Sequence, residues 1–419
     1  MANTKKVLVA IDFGSSGTRA IWNEAETGEA ANLLTIGPEI LEVSTRNILD
    51  SGLSSGKPES RILIEIEDSL FAIGKKARDL RGKSPIEETK YQTAALKTVA
   101  VVGVIAAYLE TANLEVSITA LLPFSEYQDR KSFSEIVKKQ LKVFKFLDNE
   151  VNCKVTSMSV KPEGAGIAIA HINECDYFTE RNTLIFMAGH RDTSCLPFPL
   201  GAPPEGTDTL GDQLGFLEFQ NQVVRRASLN VKAENQAKLP EYLFKSRKQP
   251  EYTERIAKMV VSRDIAKKTA EIEAAIRDSQ IWYIDTLTHW IKTTLGDFLY
   301  EIDQVVVGGG TAFYFQEELT EFFAEQSAQL DNIKWSGLTQ KDELERFFGV
   351  SLSPEAAVRL ADVYGLYQDA VAKLPEFQSH RNDSEFNAEE TEIELSTAER
   401  AATNGNRRKK VTLPKVSSN

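Results

Sequence analysis

One stretch near the start constrains the fold more than any other: Val7-Leu8-Val9-Ala10-Ile11-Asp12-Phe13-Gly14-Ser15-Ser16-Gly17-Thr18-Arg19. An apolar strand runs into an aspartate and then into a loop of small residues, and Arg19–Trp22 reads as the returning strand of a β-hairpin. Such a loop is one way to hold phosphates. Glycines let the backbone approach closely, main-chain N–H groups and hydroxyls donate to oxygens, and the carboxylate can bind a metal ion through water. An ordinary turn between strands uses the same residues, so the loop needs support from elsewhere in the chain.

Short apolar strands then alternate with helical patterns. Arg61–Ile66 and Leu70–Ile73 are strand candidates behind a loop at 51–58. Tyr91–Ala112 has helical periodicity, Val116–Leu122 is a buried strand ended by Pro123, and Ser132–Leu141 is a helix. Lys154–Val160 reads as a strand, and Pro162-Glu163-Gly164-Ala165-Gly166 opens an apolar helix. Thr183–Met187 is a buried strand that ends in Ala188-Gly189-His190-Arg191-Asp192-Thr193-Ser194. A helix-rich region follows from 211 to 299, and Gln304–Val307 runs into Gly308-Gly309-Gly310-Thr311. The alternation predicts an α/β fold. Two strand-to-loop units, near Asp12 and near Met187, predict two related lobes, although no sequence repeat can be counted. The expected division is 1–160 for the first lobe, 161–375 for the second with a helical subdomain at 211–299, and 376–419 for a disordered charged tail. In that tail Glu385–Glu394 is acidic and Arg407–Lys410 basic.

A chain of 419 residues with 42 % apolar content can bury the cores of two lobes. Its net charge of −12 argues against nucleic-acid binding by the whole surface. The Arg407-Arg408-Lys409-Lys410 cluster can still meet DNA through an adaptor, an anionic membrane or an acidic partner, or simply be solvated. Cys153, Cys175 and Cys195 are odd in number and lack metal-ligand spacing, which fits buried thiols in a reducing, cytoplasmic setting. His171, His289 and His380 have no metal-ligand spacing either. No signal peptide is visible, and the apolar window Val99–Ala107 is too short to span a bilayer.

Four segments now stand in order: the Asp12–Arg19 loop, Pro162-Glu163-Gly164, the Gly189–Ser194 turn and Gly308-Gly309-Gly310-Thr311, with Leu360–Tyr367 in a closing helix as a fifth. In that order and spacing, over residues 5–372, the chain resembles the actin-like ATPases and, among them, the plasmid-segregation ParM group. The resemblance implies a two-lobed, RNase H-like repeated fold with a nucleotide cleft between the lobes, and ATP or GTP with Mg²⁺ as cofactors. It places Asp12, Gly14, Ser15, Ser16, Gly17 and Thr18 at the β- and γ-phosphates, with Asp12 orienting the hydrated metal. Arg19 would neutralise phosphate charge or face solvent at a strand edge. Glu163 falls where the family positions the attacking water, a task a carboxylate can perform without being a strong base. The bland role for Glu163 is an acid at a helix N-terminus. Gly308, Gly309, Gly310 and Thr311 would lie against the adenosine and α-phosphate, and Asp362 and Gly365 in the interlobe hinge, serving packing.

The chain departs from the family at its second phosphate loop. Where an aspartate normally follows the strand, Met187 stands, and a thioether cannot replace a carboxylate around hydrated Mg²⁺. Asp192 would act from a shifted position or cap the turn, and Gly189, His190, Arg191 and Thr193 would contact phosphate, Arg191 with a fork suited to a γ-phosphate. The expected function is a nucleotide-dependent, filament-forming protein that hydrolyses ATP and serves DNA segregation or intracellular organisation. A slow or inactive nucleotide-binding scaffold is the alternative that Met187 leaves open, and a small-molecule kinase of the same superfamily lacks a segment for its aspartate base.

Overall fold

The computed structural model describes residues 4–25, 31–44, 56–84, 90–202, 211–327, 330 and 332–374. The tail from 376, with its Arg407–Lys410 cluster and His380, lies outside the described residues. The first part of the chain forms β1 (Lys5–Asp12), β2 (Thr18–Glu24), β3 (Asn32–Ile36), β4 (Ile40–Glu42), β5 (Leu63–Ile66), β6 (Ser69–Ile73), α1 (Lys75–Asp79), α2 (Lys90–Tyr108), β7 (Asn113–Leu122), α3 (Arg130–Leu141), β8 (Val143–Phe146) and β9 (Asn149–Pro162). Among the described residues its strands make one sheet in the order β3-β2-β1-β7-β9-β8-β5-β6-β4. The chain continues with α4 (Ala165–Glu174), β10 (Thr183–Ala188), β11 (Thr193–Phe198), β12 (Gly211–Asp212), α5 (Phe216–Arg226), α6 (Leu239–Ser246), α7 (Glu251–Met259) and α8 (Ile265–Leu295). It ends with β13 (Gln304–Gly308), α9 (Gly310–Tyr314), α10 (Gln316–Gln326), β14 (Asn332–Trp335), α11 (Lys341–Phe348) and α12 (Pro354–Lys373). The second sheet runs β12-β11-β10-β13-β14.

The unbroken apolar run of β1 has a simple cause. Successive side chains of a strand point to opposite faces, so a strand covered on both faces must be apolar throughout. Val7, Val9 and Ile11 enter one core with Val99, Val102 and Phe133, while Leu8 and Ala10 enter another with Leu360, Val363 and Tyr367 of α12. The second sheet repeats the division. Leu184, Phe186, Val305 and Val307 pack with the helices of the 211–299 region, whereas Ile185 and Val306 pack with Ile167 of α4. Two sheets thus lie on either side of a central helix pair, α4 covering the second and α12 the first, in a mixed α/β architecture with two related halves.

α4 and α12 touch through backbone. A Cβ added at Gly166 would lie 1.8 Å from the Asp362 carbonyl oxygen, and one at Gly365 would lie 2.1 Å from the Gly166 carbonyl oxygen. Only glycine permits that approach. α12 begins with Ser353, whose hydroxyl accepts from the Ala356 N–H, followed by Pro354 in the first turn, a sequence-local start signal. By length and composition Tyr91–Tyr108 could cross a membrane, yet 72 % of it is buried inside the fold, as a core helix.

Candidate functional site between the two sheets

The β1–β2 hairpin places Asp12 opposite Arg19 in register, and the turn closes through a Gly17 N–H to Gly14 carbonyl bond of 2.9 Å. Arg19 donates to Asp12 Oδ2 at 3.1 Å and reaches Ser16 Oγ at 3.4 Å. Ser15 is partly exposed and Ser16 exposed. Thr18 is fully buried, and its hydroxyl has no hydrogen-bond partner among the described residues. An orphaned hydroxyl is costly unless something else completes it. This hairpin therefore carries polar capacity that the fold does not use.

The β10–β11 turn is the opposite case. Its carbonyls at Gly189, His190 and Arg191 accept from Phe216, Leu217 and Gly215 at 3.2, 2.8 and 2.9 Å, satisfying the otherwise open N–H groups where α5 begins. Arg191 donates to Glu126 Oε1 at 2.5 Å and to both oxygens of Asp192, at 3.2 and 3.1 Å. All three side chains are buried. Burial works against the Arg191 charge, but Asp192 and Glu126 outweigh it and hold its pKa above the ordinary value. Glu126 belongs to the segment after β7 and also accepts from the Tyr91 N–H at 2.9 Å, so the ion pair links the first half to the second. The Thr193 hydroxyl donates to the Leu214 carbonyl at 2.7 Å, and His190 packs on the Phe216 ring. Met187 fills the space beside Gly164 and Gly308, where added Cβ atoms would lie 3.1 Å from its Cγ and 2.6 Å from its sulfur.

The glycine triplet divides by position. A Cβ at Gly308 would strike Ile167 at 2.3 Å, and one at Gly309, whose φ is +92°, would lie 2.2 Å from the Ala188 carbonyl oxygen. These two glycines are demanded by packing against α4 and β10. A Cβ at Gly310 would meet Arg359 Nε at 3.3 Å. The Thr311 hydroxyl donates to the Gly189 carbonyl at 2.5 Å and ties this turn to the β10–β11 turn.

Glu163 begins the turn into α4. Its own N–H donates to the Leu122 carbonyl at 2.8 Å. The next N–H groups find a carboxylate from far away: Asp362 accepts from Gly164 at 2.7 Å, Gly166 at 2.8 Å and Ile167 at 3.2 Å. Burial pushes the Asp362 carboxyl up to about 7 against these bonds, with Asp12 and Glu163 adding to the rise. Asp12 and Glu163 are therefore within electrostatic reach of it.

Arg359, one turn before Asp362 on α12, escaped the sequence reading. It is partly buried beside Gly310, pairs with Glu355, and lies 5.5 Å over the Phe244 ring. Burial lowers its pKa, and Arg19 is near enough to lower it further. The signal that could have found it is spacing: Arg359 and Asp362 stand at i and i+3, on one helix face. The Asp12 hairpin, the Glu163 turn and Gly310 thus converge on a single turn of α12. Two guanidiniums that repel one another, one of them beside a glycine turn, suit a polyanion. For a hydrated metal, Asp12 supplies one carboxylate, and Met187 supplies none; among the described residues no cluster of metal-ligating side chains forms.

Residues 10–166 match the family model described as actin like proteins N terminal domain. No curated protein matches the chain in sequence. Among solved structures, the fold is similar to that of the actin-like protein Alp7A (13 % identity, TM-score 0.57, covering 88 % of this chain and 98 % of that one). It is also similar to Ta0583, an archaeal actin homolog (13 %, TM-score 0.55, 88 % and 99 %), and to a ParM filament from Clostridium botulinum (15 %, TM-score 0.54, 87 % and 98 %). Residues 10–166 thus match an actin-like N-terminal domain, and the two-sheet architecture as a whole has the fold of the ParM and Alp7A type.

Proposed function

We propose that this chain binds ATP between its two halves, hydrolyses it slowly, and assembles into filaments that serve DNA segregation or intracellular organisation. The observation that carries the reading is the convergence of the Asp12 hairpin, the Glu163 turn and Gly310 on Arg359–Asp362. Two solved relatives in fold support it: Ta0583 has been crystallised in complex with ADP, and the Clostridium botulinum ParM is a filament. Head-to-tail contacts that do not close on themselves give such filaments.

In this reading Thr18 and the backbone of Gly14–Gly17 donate to the terminal phosphates, while Arg19 and Arg359 balance their charge. Asp12 holds a hydrated divalent ion, which when bound would neutralise charge developing on the phosphates. Glu163 accepts a hydrogen bond from water and aims its lone pair at the γ-phosphorus. The new P–O bond forms as the bond to the bridging oxygen breaks, and that oxygen leaves with the electron pair on the diphosphate. The water proton ends on the released phosphate. Arg191 takes no part in these contacts; Glu126 and Asp192 engage it.

Calorimetry with ATP, GTP and non-hydrolysable analogues, followed by sedimentation across salt conditions, tests the reading. Micromolar binding with nucleotide-dependent pelleting is expected. No binding at millimolar ligand would sink it. Met187 favours a second reading, a filament scaffold that holds nucleotide without turning it over. Equal, background phosphate release by wild type and E163A would select that reading.

A further inference from the structure

We propose that Asp362 is a positioning residue: from α12 it holds the Glu163–Gly164 turn, and through it the Glu163 carboxylate, in the orientation that hydrolysis needs. The inference rests on the reading of Glu163 as the water-positioning group.

α4 has no cap of its own. Gly164 at its N-cap offers no side chain, and Asp362 supplies the acceptor for three of the first N–H groups from 195 to 198 residues away. A carboxylate has about four acceptor sites, so one side chain can meet that demand. The solution is expensive in free energy, because a buried carboxylate must be desolvated, and position 164 cannot supply the cap itself, since its φ of +93° and the nearness of Leu196 and Met187 to an added Cβ favour glycine there. What the distant carboxylate adds is a tie between elements. The N–H of Glu163 is fixed by Leu122 of β7, and the N–H that follows Glu163 is fixed by Asp362 of α12. Both peptides flanking Glu163 are therefore anchored, one to the first sheet and one to the helix that carries Arg359 beside Gly310. The backbone contact between Gly166 and Gly365 prevents the two helices from sliding past each other. Asp362 also senses the charges of Asp12 and Glu163, which places the three acids in one neighbourhood.

The experiment uses the full chain and the variants D362N, D362S and E163Q. D362N keeps one acceptor oxygen and turns an N–H donor toward Gly164; D362S is the second variant, smaller and free of that clash. Three quantities are measured: hydrogen exchange of the 163–170 segment, affinity for a non-hydrolysable ATP analogue, and kcat and KM for phosphate release. Exchange in the segment is expected to speed about tenfold in both variants. kcat is expected to fall about 10- to 100-fold, as for a misplaced catalytic group, with KM and analogue affinity within about twofold of wild type. E163Q should lower kcat without changing exchange. Unchanged kcat in variants whose exchange has risen would overturn the positioning role. So would unchanged exchange, or a parallel loss of kcat, analogue binding and circular dichroism in both variants. A wild-type chain that binds the analogue and releases no phosphate would instead overturn the hydrolytic reading of Glu163, a result distinguishable from the others because the exchange arm still reports the tie.

Discussion

β1–β2 and β10–β11 are both antiparallel hairpins whose first strand runs parallel to a third, β7 in one half and β13 in the other. Their turns put the same geometry to different uses. The first turn leaves the Thr18 hydroxyl buried without a partner and holds Asp12 by one arginine. The second gives its carbonyls to α5, its hydroxyl at Thr193 to Leu214, and its arginine to two buried carboxylates. A shared topology thus fixes where a turn lies, while the side chains decide whether it can receive a ligand or joins parts of the protein.

Exchanging the roles experimentally would break this contrast. The largest expected effect belongs to R191A, which leaves Glu126 and Asp192 buried without a counter-charge and costs about 3–5 kcal/mol. Urea unfolding should show it, with nucleotide affinity per folded molecule nearly unchanged. Asp12→Ala should act chiefly on binding. Loss of a charge-assisted contact is worth about 1.5–3 kcal/mol, so the calorimetric Kd for Mg-ATP should rise about 10- to 100-fold, with some loss of stability as well, because Arg19, whose side chain is 12 % exposed, is left without its counter-charge. If R191A abolished binding and left stability intact, the two turns would have to change places in this account.

Thr18→Val sharpens the contrast on a smaller scale. Replacing an unpartnered buried hydroxyl by a methyl group of similar shape should stabilise the nucleotide-free chain by about 1 kcal/mol. It should also weaken nucleotide binding several-fold, so the two effects separate in thermal melts with and without ligand. The smallest effect concerns acid. The first half, through residue 160, contains no histidine, whereas the second carries buried His171 between Gln304 and the Phe178 ring. Burial lowers the His171 pKa below its ordinary 6.5, against the Gln304 bond. The folded state therefore favours the neutral ring, and its contribution is present above pH 6.5 and lost as pH falls through the lowered value. Asp362, whose carboxyl burial pushes up to about 7, acts in the opposite sense over the same range, so the difference between wild type and H171Q in melts at pH 7 and pH 5 isolates the His171 loss.

The local part of the fold was legible. The expected hairpin over Val7–Trp22 lies within β1 and β2, and the strand before the glycine triplet lies within β13. The helix expected over Tyr91–Ala112 stops at Tyr108, where the chain turns through Glu110 with a φ of +49°. β8 and β14 were missed because four residues without clear alternation leave too little periodic signal. For the candidate site, the sequence displays the glycine-rich loops but not the neighbours that hold them. Gly308 and Gly309 are glycines because of Ile167, Met187 and Ala188, neighbours that no motif records.

The sequence by itself determined the longer buried strands, the main helices and the turns rich in glycine, because hydrophobic period and turn chemistry act over a few residues. Only the tertiary structure decided which polar groups are already engaged. Glu126 meets Arg191 across 65 residues and Asp362 meets Gly164 across 198, and such pairs form only after both sheets have closed on α4 and α12. That closure separates a turn that can still receive a ligand from one whose charges are engaged within the protein.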